Sequence, residues 1–448
     1  MYEPRIIAFL CSWCSYTGAD TAGIARIKSP ANIRAVRVPC SGRVSPELVM
    51  RAFDQGADGV LVLGCHIGEC HYDTGNHRAA KRLPILKSLL TFVGLEQERL
   101  RLDWVSASEG ERFSRIAGEF TDSVRALGPV HWRVNPDGNH MPDLELSAIS
   151  ELIPYPETDF TTKSAAIREK ARELLSSEQV SCVIGYELSR RGRTRPVFIY
   201  APEEADRLVW NQDCTNNLTT YLPYKLRPSK GKEISKPVAV VVKPCDSKAI
   251  NVMVAENQYR RDQVYALGVA CEGIRSPDGN LQTRCITCQE AVPIVCDTLI
   301  SGVTSSFIPR LSSYAREEIT ELQDAPPAER MEFWLAQFDR CIRCYACRQA
   351  CPMCKCPECL YERDESTFIG LGIRLNEKRT FHLGRAYHLA GRCIGCNECE
   401  RACPMNIPIG LLNQKLAEEI EAAFDHRAGL TVAPSPIVTV LSGEYKEN

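Results

Sequence analysis

Two short runs constrain this chain more than anything else in it. "CIRCYACRQACP" sets Cys341, Cys344, Cys347 and Cys351 at the spacing C-x2-C-x2-C-x3-C-P, and "CIGCNECERACP" repeats it with Cys393, Cys396, Cys399 and Cys403. Three cysteines at two-residue intervals let one tight loop hold three corners of a cubane. The fourth opens a helix that points away, so it serves the other cluster of the pair. The spacing therefore predicts one 4Fe–4S cluster on Cys341, Cys344, Cys347 and Cys403, and a second on Cys393, Cys396, Cys399 and Cys351. Zinc knuckles also use C-x2-C units, but as two pairs rather than four cysteines in one proline-closed run, twice.

The repeat resembles a two-cluster ferredoxin unit with a long insert, residues 353–392, between its halves. The insert holds three further cysteines, Cys354, Cys356 and Cys359, and a helical stretch "RTFHLGRAYHLAGR" whose His382 and His388 read as packing or surface residues. In all, 448 residues carry 23 cysteines. Short-spaced cysteine clusters are too close and badly oriented for ordinary disulfides, so they read as metal ligands in a reducing compartment. Cys182 and Cys214 lie outside the clusters and read as small buried hydrophobes. A net charge near −2 gives no reason to expect nucleic acid as partner. No apolar run reaches membrane-span length, and "MYEPRIIAFLCSWC" lacks the features of a signal peptide. The expectation is a cytoplasmic protein.

The chain divides into an N-terminal parallel-sheet α/β domain (1–128), a proline-rich linker (129–160), a second α/β domain (161–330), a mostly helical dicluster domain (331–425) and a loose tail (426–448). In the first region "RIIAFLC", "IRAVRVPC", "GVLVLGC" and "RLRLDWVSA" read as strands. Amphipathic stretches near 46–56, 76–94 and 109–127 read as helices, the last opened by a capping box of Ser108 and Glu111. In the second, the helix "KSAAIREKARELLSSEQ" precedes the strands "PVFIY", "PVAVVV" and "VYALGVA".

Cys11, Cys40 and Cys65 each end a predicted strand, with Cys14 and Cys70 just beyond. Strand carboxyl ends of a parallel sheet share one edge, where open α/β folds place their sites. Five thiols thus converge; four serve a 2Fe–2S cluster and one is spare, with a structural zinc as the alternative. His66 and His71 in "GCHIGECHY" read as donors to cluster sulfurs, a Rieske-like histidine pair being unnecessary. "FLCSWCSYTGADTAG", "VPCSGRV", "GADGVLVLGCHIGECHY" and "DWVSASEGERF" together resemble the delta, iron–sulfur subunit of methyl-viologen-reducing hydrogenase. The resemblance implies a 2Fe–2S cluster on Cys11, Cys14, Cys40, Cys65 and Cys70, one spare. It also implies electron delivery from a hydrogenase or formate dehydrogenase to a heterodisulfide-reductase-A-like flavoprotein.

"VAVVVKPCDSKAI", "YALGVACEG" and "RCITCQEAVP" add Cys245, Cys271, Cys285, Cys288 and the nearby Cys296. With the dicluster unit, this stretch resembles, more loosely, the beta subunits of deazaflavin-reducing hydrogenases and of formate dehydrogenases. That resemblance implies further 4Fe–4S content and, in some members, FAD. The chain has no G-x-G-x-x-G after a strand and no Walker A loop, so no local motif supports a nucleotide site. Cys285 and Cys288 need two more ligands for a third cubane, or for a zinc staple. Two of Cys354, Cys356 and Cys359 are candidates, and Cys245 and Cys271 compete for the same place.

The expected function is an iron–sulfur electron-transfer subunit, without a catalytic residue of its own, in an electron-bifurcating or confurcating complex of an anaerobe. It would join the flavoprotein to a hydrogenase, formate dehydrogenase or other oxidoreductase. The alternatives are a flavin-containing subunit whose middle domain binds FAD and reduces a soluble deazaflavin or nicotinamide carrier, and a zinc-stapled scaffold.

Overall fold

The computed structural model describes residues 2–132, 144, 146, 154–155, 160–226, 236–276, 278–286, 288–300, 314–363 and 370–438. β1 (Ile6–Cys11), β2 (Ile33–Val38), β3 (Gly59–Gly64) and β4 (Leu100–Trp104) form a parallel sheet in the order β2-β1-β3-β4. β3 is buried at every position, as a strand covered on both faces must be. The covering helices are α1 (Ser15–Ile24), α2 (Pro46–Asp54), α3 (Gly75–Phe92) and α4 (Gly110–Leu127). α2 starts as its sequence dictates: the Ser45 side chain accepts from the Leu48 amide and Pro46 takes the first turn.

Two local features differ from expectation. α1 carries two glycines and two threonines, weak helix formers, and has no apolar stripe to read. It exists because small residues let it lie close: a Cβ on Gly18 would sit 2.7 Å from the Ser106 carbonyl oxygen. The capping box of Ser108 and Glu111 does not form. Glu109 accepts from the Ser106 amide instead, and α4 begins at Gly110, pressed against Ala22 of α1.

A second sheet follows, built from β5 (Cys182–Leu188), β6 (Thr194–Ile199), β7 (Val238–Val242), β8 (Val264–Val269) and β9 (Thr298–Ile300). Its order is β6-β5-β7-β8-β9, antiparallel at β5–β6 and parallel elsewhere. It is joined by α5 (Thr161–Ser176), the single turn α6 (Leu222–Lys225), α7 (Pro244–Ala255) and the turn α8 (Thr283–Ile286). The remainder is helical: α9 (Tyr314–Asp324), α10 (Pro327–Asp339), α11 (Ala346–Ala350), α12 (Leu375–His388), α13 (Glu398–Arg401) and α14 (Ile409–Phe424). This is the architecture the hydrophobic pattern predicts: a parallel-sheet α/β unit, a second sheet and a helical, cysteine-rich C-terminal region.

α12 lies in the insert between the two cysteine runs and is buried on all sides from Lys378 to Tyr387. Such burial means that it joins layers rather than facing water. On one side, Arg379 pairs with Asp54 of α2 at 2.5 Å and stacks over the Trp132 ring at 3.9 Å. The Tyr387 hydroxyl donates to the Arg82 carbonyl at 3.1 Å, and His388 lies 3.1 Å from Glu47. Burial pushes the Glu47 carboxyl up, but its bonds with His388 and Tyr361 outweigh this and hold it at about 2. Gly384 makes room for Tyr361 to reach Glu47. On the other side α12 meets the cysteine loops.

The linker expected over 129–160 lies mostly outside the described residues. Its start is anchored, since Trp132 is fully buried and its indole donates to Asp54 at 2.9 Å. The tail expected from 426 is not loose as far as 438: Ile437 is buried, its carbonyl accepts from Arg82 at 2.8 Å, and Ser435 donates to the Ala390 carbonyl. Residues 439–448 lie outside the described residues.

Candidate metal centres

At the carboxyl edge of the first sheet five thiols form a string. Cys14 Sγ donates to Cys65 Sγ at 2.9 Å, Cys65 lies 3.8 Å from Cys11, Cys11 reaches Cys40, and Cys40 lies 3.8 Å from Cys70. All five are buried. Hydrogen bonds from Cys11 and Cys14 pull the Cys65 thiol below its ordinary range, in the direction of the thiolate. Gly75 opens α3 against them; a Cβ there would sit 2.0 Å from Cys40 Sγ, so only glycine leaves that sulfur its place. The rings of the two histidines have partners of their own. His66 Nε2 bonds the Glu109 carboxylate at 2.6 Å, and the His71 ring stacks on Trp13 at 3.7 Å. Trp13, Ile67 and Tyr72 stand about half exposed beside the thiols.

The two ferredoxin-type runs fold so that their fourth cysteines change places. One small cavity is lined by Cys341, Cys344, Cys347 and Cys403, that is, by the first loop plus the end of the second run. A larger cavity of about 440 Å³ is lined by Cys393, Cys396, Cys399 and Cys351. In the first run the Arg343 amide donates to Cys341 Sγ at 3.3 Å, the backbone-to-sulfur bond that stabilises a thiolate.

Arg385 of α12 donates to the Cys347 carbonyl at 3.0 Å. Its Nε and Nη1 are buried without a partner among the described residues, and Cys354, Cys351, Cys399 and Cys347 all act on its charge. Buried donors of this kind, amid thiols, fit a sulfur-rich anionic group. His382 lines the smaller cavity and stacks on Phe338; burial, then Arg385, hold its imidazole neutral, down at about 3.

The structure also separates the remaining cysteines. Cys245, Cys271, Cys285 and Cys288 line the larger cavity together; Cys354, Cys356 and Cys359 do not line it. Cys354 is tucked against Cys351, Cys356 is exposed, and Cys359 packs near Tyr361 and Phe381. The insert cysteines are therefore not brought to Cys285 and Cys288. Cys182 and Cys214 are buried in the core around the second sheet.

Residues 6–128 match the family model described as methyl-viologen-reducing hydrogenase, delta subunit. The chain belongs to that family. Residues 337–407 match the 4Fe–4S dicluster domain, which makes this delta-subunit relative an iron–sulfur protein. The iron-sulfur D subunit of a vhc F420-non-reducing hydrogenase from Methanococcus voltae is 46% identical over 134 residues, 30% of this chain and 93% of that one. The corresponding D-type protein from Archaeoglobus profundus is 50% identical over 128 residues, 29% and 93%. The A-type polypeptide of a ferredoxin/F420H2-dependent CoB-CoM heterodisulfide reductase from Methanosarcina acetivorans is 53% identical over 127 residues, 28% of this chain but 16% of that one. The delta-type module thus occurs almost alone and as a small part of a much longer chain. Among the described residues no helix is long and apolar enough to cross a membrane.

Proposed function

We propose that this chain is an electron-transfer subunit that links a heterodisulfide-reductase-A-like flavoprotein to a second oxidoreductase, a hydrogenase or formate dehydrogenase, in a bifurcating or confurcating complex. One observation carries the reading: α12 ties a delta-type thiol site to two ferredoxin-type thiol sites within one chain, through Arg379, Tyr387 and His388 on one side and Arg385 on the other. Cys11, Cys14, Cys40, Cys65 and Cys70, one of them spare, would hold a 2Fe–2S cluster. Cys341, Cys344, Cys347 and Cys403 would hold one 4Fe–4S cluster, and Cys393, Cys396, Cys399 and Cys351 another. When bound, such clusters supply one-electron carriers whose potentials the surroundings set. The residues of the chain present amides to sulfur and place Arg385 among thiols of both cubane loops. The occurrence of the same module within the A-type polypeptide of a heterodisulfide reductase supports that flavoprotein as the partner. The exposed rim of Trp13, Ile67 and Tyr72 is where it is expected to sit.

The test is anaerobic pull-down of the tagged full chain with EPR of the dithionite-reduced protein. Trp13→Ala is expected to lose the flavoprotein while the spectra stay unchanged. Cys65→Ser should abolish the 2Fe–2S signal alone; loss of the 4Fe–4S signals instead would sink the module assignment. Arg385→Met is expected to lower the midpoint potential of at least one cubane by ~60 mV, a tenfold change in its reduction equilibrium. EPR-monitored titration reads this, and unmoved potentials would leave Arg385 a packing residue.

A further inference from the structure

The delta-type and ferredoxin-type sites leave four thiols of the larger cavity unused. Cys245 sits at the start of α7, directly after β7; Cys271 follows the end of β8; Cys285 and Cys288 come from the loop beyond. β7 and β8 are adjacent and parallel, so their carboxyl ends deliver Cys245 and Cys271 to the same edge. We propose that Cys245, Cys271, Cys285 and Cys288 hold a third 4Fe–4S cluster, in the cavity that the second ferredoxin-type site also lines.

Three observations support an iron–sulfur cubane, and the first of them separates it from a single zinc ion. A tetrahedral zinc tetrathiolate, with bonds near 2.3 Å, brings its sulfurs to about 3.8 Å from one another. Among the described residues no three of these sulfurs lie within 4.8 Å of one another. The four thiols stand around a space instead of closing on a point, as the ferredoxin-type thiols do. Second, the amides are set as in the ferredoxin loops. The Gly273 amide donates to Cys271 Sγ at 3.4 Å, two residues on, as the Arg343 amide does to Cys341, and the Ile274 amide donates to Cys285 Sγ at 3.3 Å. Third, the wall holds buried cations. Lys243 is fully buried and paired with Asp246 at 2.8 Å, and Arg284 is paired with Glu398 at 2.7 Å. Cys245 lies in the first turn of α7, whose amino end favours a negatively charged ligand set.

The same contacts say what the site adjoins. Arg284, next to Cys285, also donates to the Cys396 carbonyl of the second ferredoxin-type run. Glu256 at the end of α7 pairs with Arg392, next to Cys393, and with Lys355. Two buried ion pairs thus clamp the second sheet onto that run and place the proposed cluster beside the Cys351–Cys393–Cys396–Cys399 site. This makes the second sheet a terminus of the electron path rather than a spacer.

The inference rests on the proposed function only for the clusters already counted, and metal analysis separates the two. Iron, acid-labile sulfide and zinc are measured on the anaerobically purified full chain. About fourteen irons and fourteen sulfides per chain are expected, against about ten for one 2Fe–2S and two 4Fe–4S clusters. Ten irons with one zinc, or ten irons with none, overturns the third cluster and leaves the function standing; iron near zero overturns both. The Cys285→Ser/Cys288→Ser double variant should lose about four irons and four sulfides and keep the other EPR signals. The Cys354→Ser/Cys359→Ser variant should lose none, and an equal loss there would overturn the choice of ligands. Because the first count is made on the unaltered chain, a variant that fails to fold does not protect the idea.

Discussion

Replacing Cys344 and Cys403 together by alanine is expected to abolish one 4Fe–4S signal, with loss of about four irons, and to leave the other untouched. The reason is the exchange of fourth cysteines: Cys403 lines the cavity of Cys341, Cys344 and Cys347, while Cys351 lines that of the second loop. Two changes at one site act as one, and two changes at separate sites add. The Cys344→Ala/Cys351→Ala pair, although both residues lie in one run of sequence, should therefore damage both cubanes. If each run instead supplied its own four ligands, the two outcomes would be reversed. EPR of the reduced proteins together with iron counts reads the difference directly.

The second large effect is mechanical. Asp54→Ala is expected to lower unfolding stability by about 3–5 kcal/mol, because it leaves Arg379 buried without its carboxylate. Asp54 also accepts from the Trp132 indole, so one substitution strips two buried donors. The contact joins α2 of the first sheet to α12, so the early loss should be in docking of the delta-type unit on the helical region. Urea unfolding followed by tryptophan fluorescence measures it, with exposed Asp20→Ala as a control expected within about 0.5 kcal/mol of the parent. A shift below about 1 kcal/mol for Asp54→Ala would show that this pair does not hold the layers together.

What could be read without coordinates depended on how local the coding was. The parallel strands of the first unit and three of its helices follow from β-branched runs and apolar periodicity. α1 escaped because its glycines and threonines are poor helix formers, and it persists only by close packing on a neighbouring loop. The grouping of thiols in the two ferredoxin-type runs is legible because the spacing itself shapes the loop. The five N-terminal thiols are legible one step less directly, through the rule that parallel strands end on one edge. The ring partners of His66 and His71, Glu109 and Trp13, lie 43 and 58 positions away in sequence, beyond any local pattern.

The sequence alone determined the chemistry of this protein: thiolate sites of ferredoxin type, a delta-type thiol edge and an α/β frame, each coded by residues close together in the chain or by strand order. Only the tertiary structure decided how the spare cysteines divide and what the insert does. Cys245, Cys271 and the Cys285–Cys288 pair are separated by 14 to 26 residues and meet because β7 and β8 are neighbours in a sheet. The helical stretch of the insert is buried all round from Lys378 to Tyr387, because it lies between two layers whose positions no local pattern encodes.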